Sequence, residues 1–260
     1  MFIPEKCIVQ GKKMFLHKSG HSFELAFQGT YEPLEYNFLK TLNLDGTVAL
    51  DVGSCIGYYS LLLSDLAGKG KVLAFEPENG NFGLLKKNIE VNNLTNIQAY
   101  NVAVGNKNGA VFLKKGRSPG EHSVYDDAQK DKDVSVEIVR IDDFLKEKKI
   151  SLSDVSYVKI DVEGYEFEVL RGMTEVISES SDLIIQFEFA PQHLEEHDCS
   201  LHELVDFIRN NNINVSYWDL HKGTLEKVSN LDWLLQFDTV EDFRLGIKYS
   251  RNLICSKKIV

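Results

Sequence analysis

From Val48 onward, short apolar runs alternate with amphipathic stretches. The runs are rich in β-branched or aromatic side chains and are bounded by Gly, Asp or Asn, as is typical of buried parallel strands. They are Val48–Val52, Val72–Phe75, Ile97–Val104, Val155–Ile160 and Leu183–Phe189. Between them, apolar residues recur at helical spacing, in Ile56–Leu66, along Phe82, Leu85 and Ile89, along Phe167, Leu170, Met173 and Ile177, and along Leu201, Leu204, Val205 and Ile208. This alternation predicts an α/β fold with a doubly wound, mostly parallel sheet.

Two regions depart from the alternation. Val111–Leu113 and Val134–Val139 have the period of two that is typical of strands, and they predict a hairpin insertion at about residues 106–140. The polar loop between them, Gly116–Asp133, is expected to act as a lid. We expect residues 1–47 to form an N-terminal annex of the same globule and residues 48–260 to form the main domain.

Further elements are expected in the annex and near the end of the chain. They are short strands around Phe23, Leu25 and Phe27, a helix near Tyr36–Leu42, and strands at Val215–Trp218 and Leu253–Ser256.

The amino-acid composition and the net charge disfavour some classes of binding partner. The 260 residues are 43% hydrophobic and 26% charged, which is typical of a globular protein. With 29 Lys and Arg against 39 Asp and Glu, the net charge of −10 disfavours nucleic acid and anionic membranes as partners. The four cysteines are far apart, and no apolar stretch is long enough for a signal peptide or a membrane span. We therefore expect a cytoplasmic protein without a membrane span. The sequence does not determine its oligomeric state.

The most informative motif is the turn after the first strong strand, Asp51-Val-Gly53-Ser54-Cys55-Ile-Gly57. Its glycines allow a ligand to approach the main chain, and the helix that follows offers N–H groups. The G-x-x-x-G spacing is not the G-x-G-x-x-G of dinucleotide-binding proteins, and the phosphate-binding lysine of a P-loop is missing. Because Asp51 would repel a diphosphate and attract an ammonium group, the turn favours a cationic ligand without phosphate.

A second acid lies where the next strand is expected to end. Glu76, in Phe75-Glu76-Pro77, can accept hydrogen bonds from both hydroxyls of a ribose. Together, Asp51 and Glu76 favour an adenosyl ligand whose cationic end lies next to an acidic side chain. We therefore expect S-adenosylmethionine as the cofactor.

Candidate catalytic carboxylates follow the next two core strands. Asp161 and Glu188 each end a predicted strand, so they are expected to converge on a substrate hydroxyl or on a divalent cation. Asp161 has an alternative role as the cap of a helix that begins near Gly164. Glu163 is expected to be structural rather than catalytic and to point away from Asp161. No protein metal site is predicted.

Several motifs together resemble the FkbM family of S-adenosylmethionine-dependent methyltransferases. They are Asp51–Ser60, Ala74–Pro77, Asn101–Val104, Val158–Gly164 and, before the first turn, Gly29–Pro33. The resemblance implies the class I methyltransferase fold, a seven-stranded sheet with an antiparallel last strand, and O-methylation. Tyr31 and Glu32 are expected to pack over the cofactor, with anchoring of the N-terminal annex as the alternative. Asn101 is expected near the adenine, with a turn residue at the end of the strand as the alternative. Ser54-Cys55 departs from the Ala-Asn that the family usually has.

The expected reaction is O-methylation of a small-molecule or glycan hydroxyl, with Asp161 or Glu188 as general base. A variant in which both carboxylates hold a metal stays open. Two other classes stay open as well, namely an NAD-dependent oxidoreductase on a related sheet and a non-catalytic protein that binds S-adenosylmethionine. The sequence does not identify the acceptor.

Overall fold

The computed structural model describes residues 4–18, 22–116, 118–126, 133–190, 194, 197, 199–237 and 249–258. The chain divides into two units. The first contains residues 1–104 and 108–139, and the second contains residues 105–107 and 140–260. No helix in the described ranges has the length and apolar character needed to cross a membrane.

The first unit opens with an antiparallel hairpin of β1 (Lys6–Val9) and β2 (Lys12–Phe15). Gln10 and Gly11 connect the strands, and both have positive φ, as a tight hairpin turn with the twist of the strands requires. Two short helices follow, α1 (Ser22–Gln28) and α2 (Pro33–Leu39).

The prediction of strands around Phe23, Leu25 and Phe27 is wrong, because these residues lie on α1. Phe23 and Phe27 are four residues apart and therefore neighbours on the helix surface, where their ring centroids lie 4.6 Å apart. Leu25 is buried. In so short a segment, apolar residues at every second position fit a helix as well as a strand.

Three parallel strands form the centre of the first unit. They are β3 (Val48–Val52), β4 (Lys71–Phe75) and β5 (Ile97–Tyr100), with β4 in the middle. Helices α3 (Tyr58–Ala67) and α4 (Asn79–Val91) connect them. Val52 pairs with Phe75, and Phe75 pairs with Tyr100, so the carboxyl ends of the three strands meet at one edge. The predicted glycine turn and Glu76 follow these ends.

The strand predicted for Ile97–Val104 is interrupted. It consists of β5 and of β6 (Ala103–Gly105), with Asn101 and Val102 between them. The hairpin prediction is confirmed, since β7 (Gly109–Lys114) pairs antiparallel with β9 (Val134–Arg140) and with the short β8 (Ser123–Tyr125). Of the predicted lid Gly116–Asp133, residues 117 and 127–132 lie outside the described residues.

The second unit also alternates helices and strands. Its elements are α5 (Ile141–Glu147), β10 (Val155–Ile160), α6 (Glu166–Arg171), α7 (Thr174–Glu179), β11 (Ile184–Glu188), α8 (Leu201–Asn210), β12 (Asn214–Asp219), β13 (Thr224–Lys227) and β14 (Tyr249–Ser256), with 3₁₀ turns at Leu152–Asp154 and Leu231–Phe237. The strand order is β13-β12-β14-β11-β10. Strands β10 and β11 are parallel, whereas β14 is antiparallel to both β11 and β12. The α/β class and the antiparallel last strand are therefore confirmed.

The single helix predicted through Phe167 and Ile177 is in fact two helices, α6 and α7. Gly172 ends α6, and a Cβ at this position would lie 2.0 Å from the Gly105 carbonyl oxygen. The buried Asp142 carboxylate then accepts hydrogen bonds from the N–H groups of Glu175 and Val176 at the start of α7, both at 3.0 Å. A side chain distant in sequence therefore sets the start of the new helix.

We expect Asp142→Ala to lower the free energy of unfolding by about 3 kcal/mol, because it leaves two helix N–H groups without their acceptor and removes the carboxylate that pairs with Arg140. Asp143→Ala is the matched control, since Asp143 pairs with the same arginine on the surface, and we expect it to cost less than about 1 kcal/mol. Urea denaturation measures both. Equal losses in the two variants would contradict the assignment.

Candidate functional site

The turn between β3 and α3 has an unusual main chain. Gly53, Cys55 and Gly57 all have positive φ, at 79°, 46° and 93°. A Cβ at Gly57 would lie 2.6 Å from Leu85 Cδ1, so the packing of α4 also requires glycine there. Cys55 adopts a conformation that Asn enters more readily than most residues. The turn is therefore strained and needs contacts that hold it.

The end of β4 supplies several of these contacts. The N–H groups of Gly53 and Ser54 both donate to the Phe75 carbonyl oxygen at 3.0 Å. The Ser54 hydroxyl, which is buried, lies 2.7 Å from the Asp51 carbonyl oxygen and 3.2 Å from that of Phe75. Ser54 thus fixes the start of the turn, and this gives a local reason for its presence there.

Asp51 is the second-last residue of β3, and its side chain is buried. The Ser60 hydroxyl, on the first turn of α3, donates to its Oδ2. The carboxylate therefore lies beneath the start of the helix, next to the main chain of the glycine turn. A buried negative charge at this point favours a cationic ligand and disfavours a phosphate.

Glu76 connects β4 to the same turn. Its Oε2 accepts the Cys55 N–H at 2.9 Å, and its Oε1 accepts the Glu78 N–H at 2.8 Å. The side chain is only 5% exposed. Burial raises the pKa of Glu76 to about 7, and the hydrogen bonds from the two N–H groups only partly offset it. The carboxyl group therefore keeps its proton to a higher pH than an exposed glutamate does.

Sequence reasoning missed a second group of residues around Glu76. Glu78 caps α4 by accepting the Asn81 N–H at 2.8 Å, and the Lys115 ammonium lies 2.6 Å from its other oxygen. Burial alone would raise the pKa of Glu78, but the hydrogen bonds from Lys115 and from the Asn81 N–H outweigh it and hold the pKa below its usual value. A Glu before a helix that starts with Asn-Gly-Asn is a recognisable capping signal, whereas its partner Lys115 is distant in sequence.

The loop after β7 reaches the glycine turn. The Asn81 side-chain amide donates to the Pro119 carbonyl oxygen at 2.8 Å, and Cys55 Sγ lies 3.7 Å from the same oxygen. Gly116 N–H donates to His122 Nδ1 at 3.1 Å and so closes the loop on itself. The loop therefore lies where a lid would have to be, and its role as a lid stays a prediction.

Asn101 and the segment before α2 lie in the first unit as well. The Asn101 amide donates to the carbonyl oxygens of Glu76 and Pro77, at 2.9 and 3.1 Å. Asn101 therefore holds the main chain that carries Glu76. Its predicted contact with the cofactor stays a prediction.

Tyr31 and Glu32 pack on the first turn of α3. The Tyr58 hydroxyl donates to the Tyr31 carbonyl oxygen at 2.8 Å and accepts the Tyr31 N–H at 3.2 Å. The Tyr59 hydroxyl donates to the Glu32 carboxylate, and Glu32 itself has a positive φ of 49°. These contacts place the segment next to the glycine turn, and they also anchor it to α3, which is the alternative role of such residues.

The second unit brings three carboxylates together. Asp161, Glu163 and Glu188 each offer one oxygen, and these oxygens lie within 4.8 Å of one another. The expectation that Glu163 points away from Asp161 is wrong. Side chains alternate with a period of two, so residues 161 and 163 of an extended strand already share a face, and the positive φ of Glu163, 54°, does not separate their oxygens.

Asp161 is held by a buried cation. Lys159, which is 1% exposed, lies with its ammonium 3.0 Å from Asp161 Oδ2 and 3.1 Å from Asn252 Oδ1. Asp161 does not cap α6, since the residue that precedes this helix is Tyr165. The carboxylate is therefore part of the acidic cluster and not of the helix end.

Glu166 fixes the turn that carries Glu163. Its carboxylate accepts the N–H of Val162 at 3.0 Å and that of Gly164 at 3.0 Å. Burial raises the pKa of Glu166 to about 7, against the lowering effect of these hydrogen bonds. The arrangement repeats that of Glu76, with a buried carboxylate next to a left-handed residue.

Two kinds of chemistry are compatible with the acidic cluster. A carboxylate can accept the proton of a substrate hydroxyl, and three carboxylates at this spacing can also share one divalent cation. If a metal ion binds here, these three carboxylates are its candidate ligands. One of them, Glu163, was not expected from the sequence.

Comparison with known proteins gives a family match. Residues 51–214 match the model of the methyltransferase FkbM domain. Methyltransferase 1 of Beauveria bassiana is 29% identical over 150 residues, which are 50% of this chain and 60% of that protein. The hexuronic acid methyltransferase AglP of Haloferax volcanii is 28% identical over 141 residues, 54% of this chain and 55% of that protein. The chain thus spans little more than half the length of these relatives.

Solved structures with a similar course of the chain include two methyltransferases. A precorrin-6y C5,15-methyltransferase from Geobacter metallireducens is 15% identical with a TM-score of 0.47, covering 88% of this chain and 90% of that one. An rRNA methylase from Streptococcus thermophilus is 10% identical with a TM-score of 0.49, covering 87% and 95%. The exclusion of nucleic acid as a partner stays a prediction.

The raised pKa of Glu76 predicts how stability depends on pH. A carboxyl group that keeps its proton to about pH 7 when folded, and loses it near 4.3 when unfolded, makes the folded state less stable as pH rises between these values. In Glu76→Gln this loss is absent, so we expect the variant to gain up to about 3 kcal/mol relative to the wild type between about pH 5 and pH 8.

Urea denaturation of both proteins at the two pH values measures this difference. Glu166 titrates with the same sign in both proteins and cancels in the comparison. A difference between variant and wild type that does not change with pH would contradict the assignment.

Proposed function

The chain belongs to the FkbM methyltransferase domain family, and we propose that it transfers a methyl group from S-adenosylmethionine to a hydroxyl of a small-molecule or sugar-containing acceptor. The observation that carries the proposal is the pair of buried acids at the glycine turn. Asp51 and Glu76 both lie at this turn, and both fall within the residues that match the family.

The polarity of the turn supports this cofactor. S-adenosylmethionine has an ammonium group and a ribose but no phosphate. Asp51 would hold the ammonium, and Glu76 would accept hydrogen bonds from the ribose hydroxyls. The NAD-dependent alternative requires a diphosphate next to the buried charge of Asp51, which costs free energy.

The binding of a ribose is also compatible with the raised pKa of Glu76. Hydroxyl donors stabilise the ionised form of a carboxyl group, so ligand binding should release the proton that burial retains. Affinity for the cofactor is therefore expected to weaken as pH falls below about 7.

The cofactor, when bound, supplies an electrophilic methyl group. The chain must then hold the acceptor oxygen in line with it and accept the hydroxyl proton. An alcohol is far too weak an acid to transfer its proton fully to a carboxylate beforehand, since this is uphill by roughly 15 kcal/mol. We propose that Asp161 or Glu188 accepts the proton while the new C–O bond forms.

The acidic cluster also bears on the acceptor. Carboxylates accept hydrogen bonds from neighbouring hydroxyls, as sugars offer them, and the relative AglP is named as a hexuronic acid methyltransferase. The negative charges of Asp161, Glu163 and Glu188 favour an uncharged part of such an acceptor at this position.

The cofactor assignment predicts stabilisation by S-adenosylhomocysteine. We expect this product to raise the melting temperature of the wild-type protein and NAD to leave it unchanged, because only a ligand of the folded state stabilises it. In Asp51→Asn and Glu76→Gln the shift should be smaller. A shift with NAD alone, or no shift with either compound, would overturn the proposal.

The catalytic assignment predicts a loss of turnover without a loss of cofactor. Asp161→Asn or Glu188→Gln, whichever removes the base, should lower kcat by about 100-fold or more, while the affinity for S-adenosylhomocysteine is kept. A screen of hydroxylated acceptors with labelled methyl donor identifies the substrate, and calorimetry measures the affinity. If the protein is a non-catalytic binder, the screen finds no turnover.

The same assay separates the metal variant of the mechanism. If a cation activates the hydroxyl, EDTA should abolish turnover, and Glu163→Gln should be as harmful as the other two substitutions. If a carboxylate acts alone, EDTA should have no effect, and Glu163→Gln should keep most of the activity.

A further inference from the structure

The carbonyl group of Ile56, in the glycine turn, is held from outside the turn. The side-chain amide of Asn88, on α4, donates to it at 2.8 Å. Asn88 is fully buried, at 0% exposure, and Ile56 is buried as well. Gly53, Ser54 and Cys55 are held by β4 and Glu76, whereas this contact comes from α4.

The same amide also binds the N-terminal hairpin. Asn88 Oδ1 accepts the Phe15 N–H at 2.6 Å, and Nδ2 donates to the Phe15 carbonyl oxygen at 3.1 Å. The side chain thus pairs with β2 as a neighbouring strand would, and its second N–H reaches Ile56. Each hydrogen of the Asn88 amide group therefore has an acceptor.

One helical turn further along α4, Asn92 pairs with β2 in the same manner. Its Oδ1 accepts the Lys13 N–H at 2.9 Å, and its Nδ2 donates to the Lys13 carbonyl oxygen at 2.7 Å. The remaining hydrogen bond of Asn92 goes to the Asn88 carbonyl oxygen in its own helix. The two asparagines thus share the hairpin contact, and the contact with the glycine turn distinguishes them.

We propose that Asn88 is a positioning residue for the cofactor, which fixes the glycine turn through the Ile56 carbonyl and couples it to the hairpin of β1 and β2. The inference rests on the proposed function, since it assumes that this turn binds S-adenosylmethionine. Three residues of the turn have positive φ, so loss of one anchor allows the main chain to relax away from the conformation that receives the ligand.

The test compares Asn88→Ala with Asn92→Ala by calorimetric titration with S-adenosylhomocysteine. Both variants lose a pairing with β2, so both should lower the melting temperature. Only Asn88→Ala should weaken binding, with a Kd about threefold to tenfold above that of the wild type. Asn92→Ala should bind as the wild type does.

Asn88→Asp keeps the shape of the side chain and serves if Asn88→Ala fails to fold. Its protonated carboxyl group can still donate to Ile56, whereas its ionised form repels both carbonyl oxygens. Because position 88 is fully buried, burial raises the pKa of the introduced carboxyl group above its usual value, so the ratio of its Kd to that of the wild type should be larger at about pH 8 than at about pH 5.5. Effects of Glu76 are present in both proteins and cancel in this ratio.

Three results would overturn the inference. Binding by Asn88→Ala equal to that of the wild type, or an equal loss in Asn92→Ala, would show that the turn does not depend on Asn88 in particular. For Asn88→Asp, the contrary result is a Kd ratio independent of pH. If the wild-type protein itself binds no S-adenosylhomocysteine, the proposed function fails first, and this result is distinct from the others.

Discussion

Both candidate sites depend on a residue other than glycine that adopts a left-handed main-chain conformation. Such a conformation costs of the order of 1 kcal/mol, and it persists only where surrounding contacts fix it. In the first unit it occurs at Cys55, and in the second at Glu163. In each case a buried glutamate, Glu76 or Glu166, accepts main-chain N–H groups at or next to that residue.

Helix α4 contributes a second level of support in the first unit. Its side-chain amides contact parts of the chain that are distant in sequence. Asn81 reaches the carbonyl of Pro119 and lies 2.7 Å from His17, while Asn88 connects Phe15 to Ile56. Because an amide has both donors and an acceptor, it can replace a missing strand or close a gap between loops without adding charge.

The sequence predicts those features that depend on neighbours along the chain. The run Val155–Ile160 is mostly β-branched or aromatic, and it coincides with β10. The glycine turn and Glu76 were recognised because residue type and spacing suffice to identify them. The segment around Phe23 was assigned wrongly, since seven residues are too few to distinguish a period of two from one of 3.6.

Other features were beyond sequence reasoning because they depend on contacts distant in the chain. The division between α6 and α7 depends on the Asp142 carboxylate, which lies more than thirty residues before α7. The pairing of Lys115 with Glu78 bridges 37 positions. Local periodicity contains no information on any of these.

The fold requires a hydrogen-bond acceptor at position 76 but not a negative charge. Asp142 is buried too, but the Arg140 guanidinium lies 2.5 Å from it, so its charge is compensated within the protein. The hydrogen bonds that Glu76 accepts come from N–H groups, and its raised pKa indicates that they do not offset the cost of burying the ion. A neutral side chain could accept the Cys55 N–H as well. The stability of the turn therefore does not explain a carboxyl group at this position, whereas the proposed binding of ribose hydroxyls would.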